Sequence, residues 1–188
     1  IVEEGTPLAS RAASGAVRIP GEDEAADFYQ LGLQELSCLG YQQYEISNFA
    51  RPGAECLHNI GYWQGAYYLG LGVSAHSLLP ARDEEKETGA FYIRASNFSN
   101  TADYCRAMEE KDTAAESRQP ISRKEAMFEA MMLGLRMNSG ISGPDFQRRF
   151  GTSIRSVYEA PLEQAVQNGL GLWTADGGYR LTAKGLLL

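Results

Sequence analysis

The tightest constraint on this chain is the punctuation of residues 119–188. Ser122 and Glu125 form a capping box in front of Phe128, Met131, Met132 and Leu135, which recur at helical spacing. Gly140 is expected to end that helix. Pro144 to Phe150 reads as a short second helix, and Pro161 as the first position of a third, closed by Asn168-Gly169. Leu170 to Thr174 and Tyr179 to Thr182 flank Asp176-Gly177-Gly178, a hairpin signal. Three helices and a hairpin outline a small winged-helix-like domain. Its expected core is Phe128, Met131, Leu135, Phe146, Phe150, Leu162, Val166 and Leu181.

Residues 1–118 have a different texture, which changes around Glu116 to Pro120. Glu22-Asp23-Glu24 opens a helix expected to run to about Leu39, with Gly40 as its stop and Ala25, Phe28, Tyr29, Leu36 and Leu39 as its apolar face. A strand is expected around Gln42 to Ser47, then a turn at Pro52-Gly53. The stretch YYLGLGVS at 67–74 reads as a buried strand, with Leu69, Leu71 and Val73 on one face and Gly70, Gly72 and Ser74 on the other. Glycine weakens a strand unless something approaches closely, so a ligand or another backbone is expected against the bare face, with a packed helix as the alternative. Residues 81–89 read as a charged surface loop, FYIRAS as a strand and Asn100 to Glu110 as a helix. This order suggests an α/β architecture related to a barrel. The domain boundary is set at 118/119.

Charge and cysteine usage exclude some functions. The net charge of −7 is uneven: residues 119–188 carry eight Lys/Arg and six Asp/Glu, a net +2, and residues 1–118 nine and eighteen, a net −9. An acidic body argues against a nucleic-acid groove there. In the third expected helix, Pro161 to Asn168 includes Glu163 and no Lys or Arg, so duplex DNA is not expected as a partner. The three cysteines, Cys38, Cys56 and Cys105, stand 18 and 49 apart, which matches no zinc or iron–sulfur pattern. Their odd number suits a reducing compartment, and a cytoplasmic location is expected. No run of about 18 apolar residues is present, so no transmembrane segment is expected. The opening Ile1-Val2-Glu3-Glu4 lacks Met and reads as part of a longer chain. CxxxCxxC, P-loop, GxGxxG, HExxH and GxSxG motifs are absent, and no residue is nominated as catalytic.

The chemistry-bearing candidates lie in the centre. His58 and His76 are the only two histidines. On a helix His58 and Tyr62 would share a face, beside Asn59 and Trp63. A neutral imidazole can bind an iron and flat aromatics can pack on a macrocycle, although a core histidine among aromatics fits the same spacing. Tyr44-Glu45-Ile46-Ser47-Asn48-Phe49-Ala50 reads as a strand end with polar groups. C-terminal strand ends in barrels commonly face the ligand, and an ordinary strand-to-loop exit is the alternative.

The stretch YQQYEISNFARPGAECLHNIGYWQGAYYLGLGVSAHS resembles the oxygen-independent coproporphyrinogen III oxidase-like radical-SAM family, and especially its haem-chaperone branch. AMFEAMMLGLRMNSGI and YRLTAKGLLL resemble that family's C-terminal domain. The resemblance implies the C-terminal part of a partial (β/α) radical-SAM barrel followed by a helical, winged-helix-like domain. It implies haem binding at His58, Asn59, Tyr62 and Trp63, with His58 as candidate ligand of the haem iron. It makes Glu45, Ser47, Asn48, Ala50, Gly70, Gly72 and His76 the cofactor-facing candidates. S-adenosylmethionine and a [4Fe–4S] cluster are implied for the parent protein, with the cluster ligands outside this chain, which alone is expected to be inactive. Haem or a porphyrinogen is the implied ligand, and haem-accepting proteins are implied partners. The alternative activity is oxidative decarboxylation of coproporphyrinogen III.

Overall fold

The computed structural model describes residues 2–111 and 113–187. Helix α1 (Pro7–Ala13) starts where the Thr6 hydroxyl accepts the Ala9 N–H, with proline in the first turn. Helix α2 (Glu22–Cys38) has no side-chain cap, but its acidic first turn suits the positive end of the helix dipole, and Gly40 at φ +82° follows its end. The expected apolar face of α2 is uncovered: no residue of the helix is buried, and Phe28, Leu31 and Leu39 are exposed. The Tyr29 hydroxyl ties it to the segment that follows, accepting from the Gln43 side-chain amide and donating to the Ile46 carbonyl at 3.1 Å.

The single strand expected over 42–47 is a hairpin instead. Strands β1 (Gln42–Glu45) and β2 (Asn48–Ala50) pair antiparallel. The turn closes locally because the Ser47 N–H donates to Glu45 Oε1 at 3.2 Å. Helix α3 (Leu57–Trp63) follows the Pro52-Gly53 turn.

Residues 67–74 do not form the expected strand. Their one ladder contact is Tyr68 with Leu78, which exchange backbone hydrogen bonds at 3.0 Å. Gly72 at φ +97° and Ser74 at φ +59° leave the β region, and Leu69 and Leu71 are 69% and 83% exposed. The expectation of a close backbone holds at Gly70, where a Cβ would lie 2.0 Å from the His76 carbonyl oxygen.

Strands β3 (His76–Pro80), β4 (Ala90–Asn97) and β5 (Ala115–Ser122) form an antiparallel sheet in that order. The 81–89 segment contains a short helix, α4 (Asp83–Glu87), rather than only loop. Helix α5 (Thr101–Lys111) begins where the Asn100 side chain accepts the Ala102 and Asp103 N–H groups. The central strand β4 is covered on both faces: Ile93 packs with Ala81 and Ala90, and Tyr92 joins the main core.

That core is completed by helices α6 (Arg123–Gly134), α7 (Gly143–Phe150) and α8 (Ile154–Gln167) and the hairpin β6 (Gly171–Trp173) with β7 (Tyr179–Leu181). Leu78, Tyr92 and Ile121 meet Ala126, Met131, Phe146, Phe150, Ile154, Leu162 and Tyr179 in one cluster. Strand β5 runs through position 118/119 and pairs there with β4. The Ser122–Glu125 capping box forms in full. Three details depart from expectation. Phe128 is 61% exposed, on the side of α6 away from the core. Helix α6 stops at Gly134, and Gly140 instead lies under β7, where a Cβ would be 2.2 Å from the Tyr179 carbonyl oxygen. Helix α8 starts at Ile154, capped by Ser153, seven residues before Pro161. It kinks at Tyr158 (φ −126°), because proline lacks an N–H and its ring crowds the carbonyl one turn back. The earlier start adds Arg155, which pairs with Glu159 and Glu163 at 3.0 Å each. Every strand pair among the described residues is antiparallel. No described helix is long and apolar enough to cross a membrane.

Candidate functional site

Helix α3 carries two stripes one residue out of phase. His58 and Tyr62, four apart, stand ring to ring with centroids 4.8 Å apart and planes at 78°. Tyr62 meets Tyr68 in the same edge-on manner at 4.8 Å and 80°. This stripe faces outward: His58 and Leu57 are exposed, and Tyr62 is 39% exposed. Asn59 and Trp63, also four apart, turn inward. The Asn59 amide donates to the Tyr44 hydroxyl at 3.5 Å, and the Arg136 guanidinium lies 5.4 Å from the Trp63 ring. The helix therefore gathers the four motif residues but divides them between an accessible face and an anchoring face.

The anchoring face meets a tightly bonded strip. The Ile46 N–H donates to the Arg136 carbonyl at 3.0 Å, and the Asn138 N–H to the Tyr44 carbonyl at 3.1 Å. Glu45 is fully buried opposite Met137. Its Oε2, the Trp63 indole N–H and Asn138 Oδ1 are buried without hydrogen-bond partners.

The cofactor-facing candidates fall in two separate places. Ser47 and Asn48 are exposed at the tip of the β1–β2 hairpin, whereas Glu45 and Ala50 are buried beneath it. Gly70 and Gly72 lie in the 67–74 loop, their carbonyls held by the Asn97 amide at 3.3 and 2.9 Å, and His76 is exposed at the start of β3. None of these residues lines either of the two clefts beside α3.

The larger cleft, about 450 Å³, lies between the C-terminal end of α3, residues 137–142, α7 and the β6–β7 turn, with Trp63, Arg148, Arg149 and Asp176 in its wall. The smaller, about 270 Å³, is lined by Tyr62, Tyr68, Leu78, Arg94, Glu129 and Arg149 among others. Glu129 accepts from the Tyr92 hydroxyl and from Arg94 at 2.8 Å. Burial, and then the Glu129 carboxylate, push the Tyr92 phenol well above the usual tyrosine value. Sequence reasoning missed Arg94, Glu129 and Arg149. They come from β4, α6 and α7 and have no local pattern linking them to α3.

The donor set decides which groups these residues can hold. An exposed imidazole backed by two aromatic rings fits a planar tetrapyrrole whose iron needs a nitrogen ligand. An iron–sulfur cluster does not fit. Cys38, Cys56 and Cys105 are exposed in α2, just before α3 and in α5, and no group of three His, Cys, Asp or Glu among the described residues could hold a metal ion.

Residues 121–188 match the family model described as the HemN C-terminal domain. The chain is 28% identical over 188 residues to heme chaperone HemW of Bacillus subtilis, covering all of this chain and 46% of that protein. It is 31% identical over 188 residues to heme chaperone HemW of Lactococcus lactis, again covering all of this chain and 46% of that protein. It is 31% identical over 198 residues to the mitochondrial radical S-adenosyl methionine domain-containing protein 1 of Danio rerio, covering all of this chain and 42% of that protein. The chain thus spans under half the length of these relatives. Among solved structures, coproporphyrinogen III oxidase (HemN) from Escherichia coli, described as a radical SAM enzyme, superposes with a TM-score of 0.63 at 19% identity, over 94% of this chain and 42% of that one, a likeness of fold. The chain is similar along its whole length to the heme chaperone HemW proteins, and its residues 121–188 carry the HemN C-terminal domain.

Proposed function

We propose that this chain carries the haem-binding surface of a haem chaperone, with His58 as the ligand of the haem iron. The observation that carries the reading is the exposed His58 imidazole on α3, backed edge-on by Tyr62 and then Tyr68. Neutral imidazole offers a lone pair to iron, and Tyr62 and Leu57 offer apolar surface to the macrocycle. Asn59 and Trp63 serve the site from behind by fixing α3 against Tyr44 and Arg136. Haem is the cargo in this reading, and haem-accepting proteins are its partners. S-adenosylmethionine and a cluster belong to the parent protein; when bound they supply radical chemistry, and no step here is assigned to them. The oxidase alternative rests on the HemN C-terminal domain match at 121–188 and on the likeness of fold.

The test is a haem titration of the intact protein followed at the Soret band. His58→Ala is expected to weaken binding and shift the band. His76→Ala is expected to do less, because His76 lacks the aromatic backing. Trp63→Ala should lower affinity with the band in place. Unchanged affinity and spectrum in His58→Ala would remove His58 as the ligand and leave it an ordinary surface histidine.

A further inference from the structure

We propose that the smaller cleft beside α3 is a carboxylate subsite, in which Arg149 pairs with a propionate of the tetrapyrrole held at His58. This rests on the haem reading above and adds the group that fixes the ligand's orientation.

The cleft is too small to enclose the ligand. Its volume of about 270 Å³ lies below the roughly 300–1,000 Å³ of pockets that bury a drug-sized molecule, so it suits one edge of a macrocycle. Its position is right for such an edge. Tyr62 is in ring contact with His58 and also lines the cleft. One turn of α3, about 6 Å, separates the two residues along the axis. A macrocycle ligated at His58 and lying over Tyr62 extends toward the C-terminal end of the helix. Arg149 is there, its Nη1 donating to the Gln64 carbonyl at 3.1 Å.

The charges in the cleft leave Arg149 uncompensated. Glu129 is shared by Arg94 and Tyr92. The neighbouring Arg148 takes Asp145 at 2.6 Å. Arg149 has no carboxylate partner among the described residues. Its guanidinium is nonetheless held in place. It lies 5.1 Å from the Phe150 ring centroid and 5.9 Å from that of Tyr92. Gly65 leaves it room, since a Cβ there would be 2.7 Å from Nη1. A guanidinium has five N–H donors in a planar fork, and the Gln64 carbonyl occupies only part of that capacity. What remains matches the two oxygens of a carboxylate, and partial burial strengthens the attraction relative to open water.

The experiment compares haem with its dimethyl ester, which keeps the iron and the ring but has no propionate charge. Both are titrated into the intact protein, into Arg149→Met, whose side chain keeps apolar contact with Phe150, and into Arg149→Lys. The unsubstituted protein is expected to prefer haem by about tenfold, the scale of one partly exposed charge-assisted pair. Arg149→Met should bind both ligands alike with the Soret position unchanged, and Arg149→Lys should keep part of the preference. A preference retained in Arg149→Met overturns the proposal. So does an equal loss of both ligands in Arg149→Met, which would make Arg149 only a clamp between α7 and α3. Failure of the haem reading shows separately, in a His58→Ala spectrum identical to that of the unsubstituted protein.

Discussion

The stretch from α2 to the 67–74 loop and the stretch from Ile121 onward treat their apolar side chains in opposite ways. In the second, Ala126, Ile154 and Tyr179 are wholly buried and Phe146 and Phe150 nearly so, and α6, α7 and α8 all start on a serine cap. In the first, neither α2 nor α3 buries a residue, and Leu57, Leu69 and Leu71 are exposed. The difference teaches a division of labour. The C-terminal core supplies rigidity, and α3 leans on it through Trp63 and Arg136 while its other face stays exposed.

Substitutions can break this comparison. The largest effect is expected at Tyr179, whose ring is fully buried and whose hydroxyl donates to the Leu162 carbonyl at 3.1 Å. Tyr179→Ala should cost about 3–5 kcal/mol in denaturant unfolding, against under about 0.5 kcal/mol for Leu71→Ser on the exposed loop. Equal costs at the two sites would end the division. Next comes Gly140, at φ +71° and closely approached by β7. Gly140→Ala should cost at least about 1–3 kcal/mol, read in the same way. A neutral result would mean that β7 can move away freely. Ser122→Ala removes the α6 cap and should cost about 1 kcal/mol.

The smallest effects are those of pH. Hydrogen bonds from the Ser122 hydroxyl and backbone hold Glu125 below its ordinary 4.5, and the Thr174 hydroxyl holds Asp176 below 3.8. A depressed folded-state value favours the carboxylate, so this stabilisation is present above pH 4.5 and is lost as acid protonates the folded form. Glu125→Gln should flatten the acid limb of a stability–pH curve slightly. At the other end, Tyr92 is raised above 10, so its contribution is full below pH 10 and falls as the pH rises further. Tyr92→Phe should remove that alkaline limb.

The sequence made the C-terminal elements legible because their signals are local. A capping box, a proline near the α7 start and Asp-Gly in the hairpin turn act within four residues of themselves. The start of α8 carried such a signal in Ser153 too, but Pro161 outweighed it although a proline can sit past a kink. The 67–74 stretch misled because alternation marks a strand only when a partner exists. Gly70 is bare because β3 begins against it, and Leu69 and Leu71 have no sheet to face. At the site, the His58–Tyr62 pair could be read from its spacing. Arg149 could not, since it reaches Gln64 across 85 residues through the folding of α7 onto α3.

Amide hydrogen exchange of the intact protein with and without haem tests the central division most directly. The account predicts slowed exchange on haem binding in residues 57–68, with the β6–β7 hairpin at 171–181 unchanged. Slowing confined to the hairpin, with α3 unaffected, would contradict it.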